Sequence, residues 1–298
     1  MRLHHNIMKI GLVLMTLTML ICIVFSYSIK LNYPVFLRYC IETEAVSNQA
    51  DSYNRLVMEL QYITNSNDNR LVNQVVFKEA PEIYFRASET LPGNNSLGFF
   101  IKTTTNRQLG ISMGRYSLRT IYVYQDSYFR EDWKGEKELN TAVLYFSDGS
   151  TRNVDLGRII LYSETNEEGV LAPETTTSSS DFSSSTSYRV EDNVRLLNFS
   201  SPLLGNAPDF MYFKIDNINF TDISGMEYEK GNGLRITSKF NNSQASSYHY
   251  DVYDIRPKLN YKIEDGATKY IRVYNIRWQR SIYDFKNTLN YLKERGAI

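Results

Sequence analysis

The chain has 298 residues, and 33 basic side chains balance 33 acidic ones, so no overall field draws it onto nucleic acid. Its two cysteines, Cys22 and Cys40, and three histidines leave thiol, histidine and zinc chemistry without the groups it needs. Seven prolines beside 23 tyrosines, with frequent Ser and Asn, favour strands and polar turns, so a mainly β fold is expected, with no metal and no cofactor.

Residues 1–9 carry Arg2, His4, His5 and Lys9 and read as a short cytoplasmic tail. Residues 10–29 follow as IGLVLMTLTMLICIVFSYSI, without a charge. About 20 such residues match a hydrocarbon layer of roughly 30 Å, which predicts a single transmembrane helix retained as a signal anchor. Ser26 and Ser28 are spaced like a processing site, but a cleaved signal has a shorter apolar core, about 7 to 15 residues. The basic tail favours a cytoplasmic amino terminus, with the bulk of the chain outside a plasma membrane or its equivalent.

Residues 30–51, with Pro34, Glu42 and Glu44, sustain no period and read as a stalk. Cys40 within it is placed to join two chains through an intermolecular disulfide, and the remaining chain has no internal one.

Over 52–165 alternating residues predict a first antiparallel β-sandwich domain. Its expected strands are a hairpin of 56–64 and 71–77 about the polar run 65–70, then 97–103 and 116–125. A second hairpin, 141–146 with 152–162, closes on Ser147-Asp-Gly-Ser150, where Asp-Gly suits a tight turn.

Residues 166–190 include a hydroxyl run over 175–187 broken only by Asp181 and Phe182, which reads as a Ser/Thr-rich linker or long loop. A second sandwich, or the remainder of a single one if 166–190 is a long loop, is expected over 191–298, with strands at 194–199, 211–220, 234–240, 248–255 and 269–278. Ser281-Ile-Tyr-Asp284 resembles a capping box, and Ile282, Phe285, Leu289 and Leu292 then fall at helical spacing. This short amphipathic helix should pack on the second sheet and stop at Gly296.

Candidate contact residues are aromatic. Trp133 and Tyr128 lie in the polar stretch YFREDWKG, and Tyr248 and Tyr250 flank His249, although Tyr pairs also occur simply as cross-strand neighbours. Asp216 to Asp222 and Asn65 to Asn69 hold oxygen ligands but lack the pattern of a calcium loop. A triad drawn from His249, Ser246 or Ser247, and Asp251 or Asp254 fails, because strand neighbours point to opposite faces and no Gly-x-Ser-x-Gly elbow exists. Asn94, Asn198, Asn219 and Asn241 each begin an Asn-x-Ser/Thr sequence.

The sequence therefore points to a non-catalytic, single-pass surface protein whose β-rich ectodomain binds a protein or glycan partner, or forms part of an envelope complex. One alternative is a membrane-tethered hydrolase that cleaves glycans with paired carboxylates, a geometry that leaves no local motif. Another is an accessory sensory or regulatory ectodomain. Neither the partner nor the oligomeric state can be read from the residues.

Overall fold

The computed structural model describes residues 2–45, 56–89, 110–125, 135–163, 169–206, 211–240, 250–273, 277–279 and 282–298. The chain opens with helix α1 (Arg2–Ser28), followed by β1 (Val35–Phe36), β2 (Tyr39–Glu44), β3 (Leu56–Asn65), β4 (Val72–Phe77) and β5 (Phe85–Ser88). Next come β6 (Ile111–Met113), β7 (Tyr116–Gln125), β8 (Gly135–Phe146) and β9 (Thr151–Ser163). A third group holds β10 (Leu171–Ser179), β11 (Ser183–Val190), β12 (Val194–Ser200), β13 (Met211–Ile215) and β14 (Ile218–Asn219). The last elements are β15 (Glu227–Tyr228), β16 (Gly233–Phe240), β17 (Val252–Asp254), β18 (Lys258–Ile263), β19 (Thr268–Arg272) and helix α2 (Phe285–Glu294).

Among the described residues these strands form three sheets. The first runs β1-β3-β7-β5-β4-β8-β9-β2-β17, with β6 beside β7; the second runs β10-β11-β16-β13-β14 and the third β15-β12-β18-β19. The first sheet rolls over, so that β1 approaches β9 and β2 approaches β3. One hydrophobic cluster fills this roll and includes Phe36, Leu60, Val75, Phe77, Ile121, Leu144 and Ile159, with Ile282, Tyr291 and Leu292 from the carboxyl-terminal segment. A second cluster lies under the other two sheets and includes Val190, Leu196, Phe213, Ile215, Ile236 and Leu259.

The strands β2, β9 and β17 serve both clusters because successive side chains leave a strand on opposite faces. Tyr39, Ile41, Ile159, Leu161 and Val252 belong to the first, whereas Cys40, Ile160 and Tyr253 belong to the second. Burial on both faces is why residues 159–163 of β9 are all buried instead of alternating. It also accompanies parallel pairing, β9 with β2 and β2 with β17, inside a fold expected to be antiparallel throughout. Gly157 permits the first of these pairs. Its φ is +86°, and a Cβ there would overlap the Tyr39 backbone.

Several expectations are corrected. Strands β3 and β4 form where expected but do not pair with each other; β3 pairs with β1 and β7, and β4 with β5 and β8. Arg119 of β7 holds the segment that connects them, its guanidinium donating to the carbonyls of Arg70 (2.8 Å) and Asp68. The stalk is, through residue 45, integral to the fold: β2 carries a fully buried Glu42 and a buried Cys40. The Ser/Thr-rich tract is the β10–β11 hairpin, for reasons given below. The strand expected over 211–220 is broken by Asp216 and Asn217, both at positive φ, into the two-residue hairpin β13–β14. Asp284, not Ser281, caps α2, accepting from the Asn287 amide at 2.8 Å, and the helix packs in the first cluster, where the Tyr291 hydroxyl donates to the Phe36 carbonyl at 2.6 Å. Strand 97–103 lies outside the described residues.

The membrane expectation also changes. Among the described residues no helix is long and apolar enough to cross a membrane, so the span over 10–29 is not supported. The described side chains of α1 from Met8 to Val24 would cover roughly 25 Å at 1.5 Å per residue. These side chains are nevertheless exposed at every turn, Met15 by 77% and Leu12 by 67%, and none enters either cluster.

Candidate functional site

The aromatic candidates do not assemble. Trp133, Tyr128 and Tyr248 lie outside the described residues, as does His249. Tyr250 is in the first cluster, edge-on to Tyr291 with ring centroids 5.5 Å apart. Cys40 is buried under the second cluster, and burial pushes its thiol up to about 12, so a bridge to another chain would first require uncovering it. Among the described residues no group of three or more His, Cys, Asp or Glu could hold a metal ion. Asp216 instead organises its turn, accepting from the Arg235 amide at 3.0 Å and the Tyr228 hydroxyl at 2.7 Å.

Two buried polar networks are architectural. Where the first sheet meets the third, Glu42 accepts from the Ser201 hydroxyl at 2.6 Å and the Arg256 amide at 2.5 Å, with Arg272 at 3.6 Å. Arg272 lies 3.6 Å over the Tyr162 ring and also donates to Glu136 at 2.9 Å, which Lys258 approaches equally closely. Burial raises the Glu42 pKa against these donors; Lys258 and Arg272 hold that of Glu136 down in spite of its own partial desolvation. In the second network Glu89 accepts from the Tyr62 hydroxyl at 2.5 Å and from the Val72 amide at 3.1 Å, with Arg119 at 3.7 Å. Both networks join segments distant in sequence; Glu42, Arg272, Tyr62 and Arg119 at their centres are buried, whereas Glu136 is exposed at the margin of the first.

The accessible feature is the hairpin β10–β11. Thr is a good strand former, and its hydroxyl-rich run alternates as a strand must, with Ser184, Thr186, Tyr188 and Val190 of β11 facing inward. Asp181 makes the turn, accepting from the Ser183 amide and hydroxyl at 3.2 and 2.6 Å, with Lys239 at 3.1 Å. Phe182 takes a positive φ of 59° and packs against the second cluster.

Strand β10 pairs with β11 on one side only; its other side carries no strand among the described residues. Residues 173–179 are exposed, and after Glu174 no charge or proline interrupts them until Asp181. The outer face continues this character across the sheet. Thr177 sits opposite Ser185, Ser185 opposite Thr237, and Arg235 donates to the Ser185 hydroxyl at 2.6 Å. Edge strands are usually blunted by charge, proline or a bulge. Here Pro173, Glu174 and the bulge beside them guard only the start of the strand.

No family model matches the chain, and no curated protein matches it. Among solved structures it is similar to the adhesive subunit of the CFA/I fimbria of enterotoxigenic Escherichia coli, at 7% identity over 82% of this chain and 84% of that one. The TM-score is 0.16, too low to carry an argument.

Two surface depressions lie among the described residues. One is lined by Asp216, Asn217, Arg235 and Thr237, the other by Tyr33, Arg152, Asp155 and Arg295 among others. Each has a single carboxylate, so neither provides the pair that glycoside cleavage requires. Ser179 at the end of β10 hydrogen-bonds the Asp181 carboxylate of the turn, and the chemistry of the strand's hydroxyls is that of hydrogen bonding and backbone pairing.

Proposed function

We propose that the protein is a non-catalytic contact protein that is anchored at a lipid bilayer by α1, displays its β-rich body outside the cytoplasm, and engages a protein partner by strand addition at β10. The observation that carries this reading is the one-sided, uncharged and exposed edge over 175–179. An extended partner segment would complete the backbone pairing that this edge begins, while small hydroxyl side chains obstruct neither face. The anchoring is supported by α1, whose apolar side chains are exposed on all sides; so large an apolar surface is unfavourable in water.

The test uses the full chain in its native membranes, with a photo-reactive amino acid at position 177 or, as a control, at exposed Lys286. The expected result is one discrete adduct from position 177, absent from 286 and abolished by Thr176→Pro. Absence of any adduct from 177 contradicts strand addition. Release of the unmodified chain from membranes by alkaline carbonate contradicts anchoring.

A further inference from the structure

A groove beside the exit of α1 has a chemistry that contact at β10 does not use. The helix ends at Ser28, and the chain is then tied to the body: Asn65 exchanges hydrogen bonds with the Leu31 amide and carbonyl at 3.1 and 2.7 Å. Tyr33, five residues past the helix, forms one wall of a depression of about 120 Å³, several times what one water needs. Arg152 lies across it with its guanidinium carbon 3.7 Å from the Tyr33 ring centre. That stacking fixes a guanidinium in place while its edge remains able to donate.

Arg295, at the carboxyl end of α2, also lines the depression. It meets Asp155 at long range, 3.9 Å to the carboxylate and 3.5 Å to the carbonyl, and its buried Nε has no hydrogen-bond partner among the described residues. Asp155 also faces Arg38 at 3.8 Å, and one of its oxygens accepts from the Gly157 amide at 2.9 Å. Arg152 and Arg295 thus line the groove beside a single carboxylate, Asp155, which Arg38 also approaches, and this leaves the groove net positive. Such a site suits a tetrahedral oxyanion, because guanidinium donors match its oxygens in pairs.

We propose that this groove binds the phosphate of an anionic lipid headgroup. This rests on the anchoring of α1, which would hold Tyr33 within about 17 Å of the bilayer surface even if the five residues were fully extended. The shared chemistry with free phosphate is separated by the design of the test.

The full chain is placed in nanodiscs of phosphatidylcholine with phosphatidylglycerol, and lipid retained by the protein is measured by native mass spectrometry. Wild type is expected to enrich phosphatidylglycerol. Arg152→Gln should lower that enrichment about five-fold, the usual effect of one basic residue near a membrane surface. Asp155→Asn should raise it, a sign opposite to that of a merely structural contact. In a second arm, inorganic phosphate is added to the full chain in neutral detergent and the Tm followed. A Tm rise without lipid enrichment would overturn the headgroup as ligand and leave a free phosphate site. Neither response, or equal enrichment in wild type and Arg152→Gln, would overturn the site itself. A chain that fails to enter nanodiscs would refute the anchor and the headgroup together, leaving the phosphate arm to judge the groove.

Discussion

Single side chains in this protein show what burial and pairing do to charge. Asp68 is half-buried, which by itself raises its pKa, but the fork of Arg70, at 2.8 and 3.0 Å, and the Thr64 hydroxyl at 2.8 Å bring it down to about 2. A carboxylate depressed below its unfolded value stabilises the fold above the unfolded pKa and ceases to do so as pH falls through the folded one. The window is therefore about pH 4 to pH 2, and the contribution on the order of 1–2 kcal/mol. Urea titrations across that range should show a loss in wild type that is reduced in Asp68→Asn. Cys40 provides the opposite case, a neutral group shielded from reagents. Maleimide at pH 7.5 should leave it unmodified in the folded chain and label it after unfolding, and rapid labelling of the folded chain would show that β2 is open.

At the scale of elements, legibility followed the alternation of residue types and turn chemistry. Strand β7 coincides with the expected 116–125 because polar residues interrupt apolar ones along it, although Ser117 and Arg119 are themselves buried, and β9 spans the expected 152–162 because a tight turn marks its start. Gly149, at a φ of +81°, is in the turn that Asp-Gly announces. Strand β2 was illegible because it is buried on both faces while containing Glu42, whose partners Ser201, Arg256 and Arg272 lie more than 150 residues away. The hairpin β10–β11 was hidden for a different reason: hydroxyl side chains fit both a loop and an edge strand, and only pairing with β16 distinguishes them. The aromatic site failed at Tyr250 because an aromatic at strand spacing carries the same signal in a core as on a surface. Helix α2 shows how a correct element can be given the wrong partner. Its stripe of apolar residues specified burial but not the sheet, which Tyr291 settles through the Phe36 carbonyl. Tyr291→Phe should cost about 1 kcal/mol, the net value of such a bond, as read by the urea midpoint at constant m value.

For the whole molecule, the central fact is that one set of strands supports two cores. Ile160 and Cys40 face one, while Ile159 and Ile41 face the other, and the Glu42 network fastens the third sheet to their edge. Removing one member leaves Arg272 buried with fewer counter-charges, so Glu42→Ala should destabilise by about 3 kcal/mol. The loss should fall on both cores together, seen as coincident unfolding by Trp278 fluorescence and far-UV circular dichroism. Two separated transitions in wild type would show that the shared strands do not couple them. Among the described residues β10 is the end strand of the second sheet, and its exposed residues 173–179 face solvent. Hydrogen exchange at the amides of 175–179 tests contact at that edge most directly. The account predicts rapid exchange in the purified chain and marked slowing in native membranes, where the proposed partner would pair with the strand. Equal rates in the two settings would contradict it.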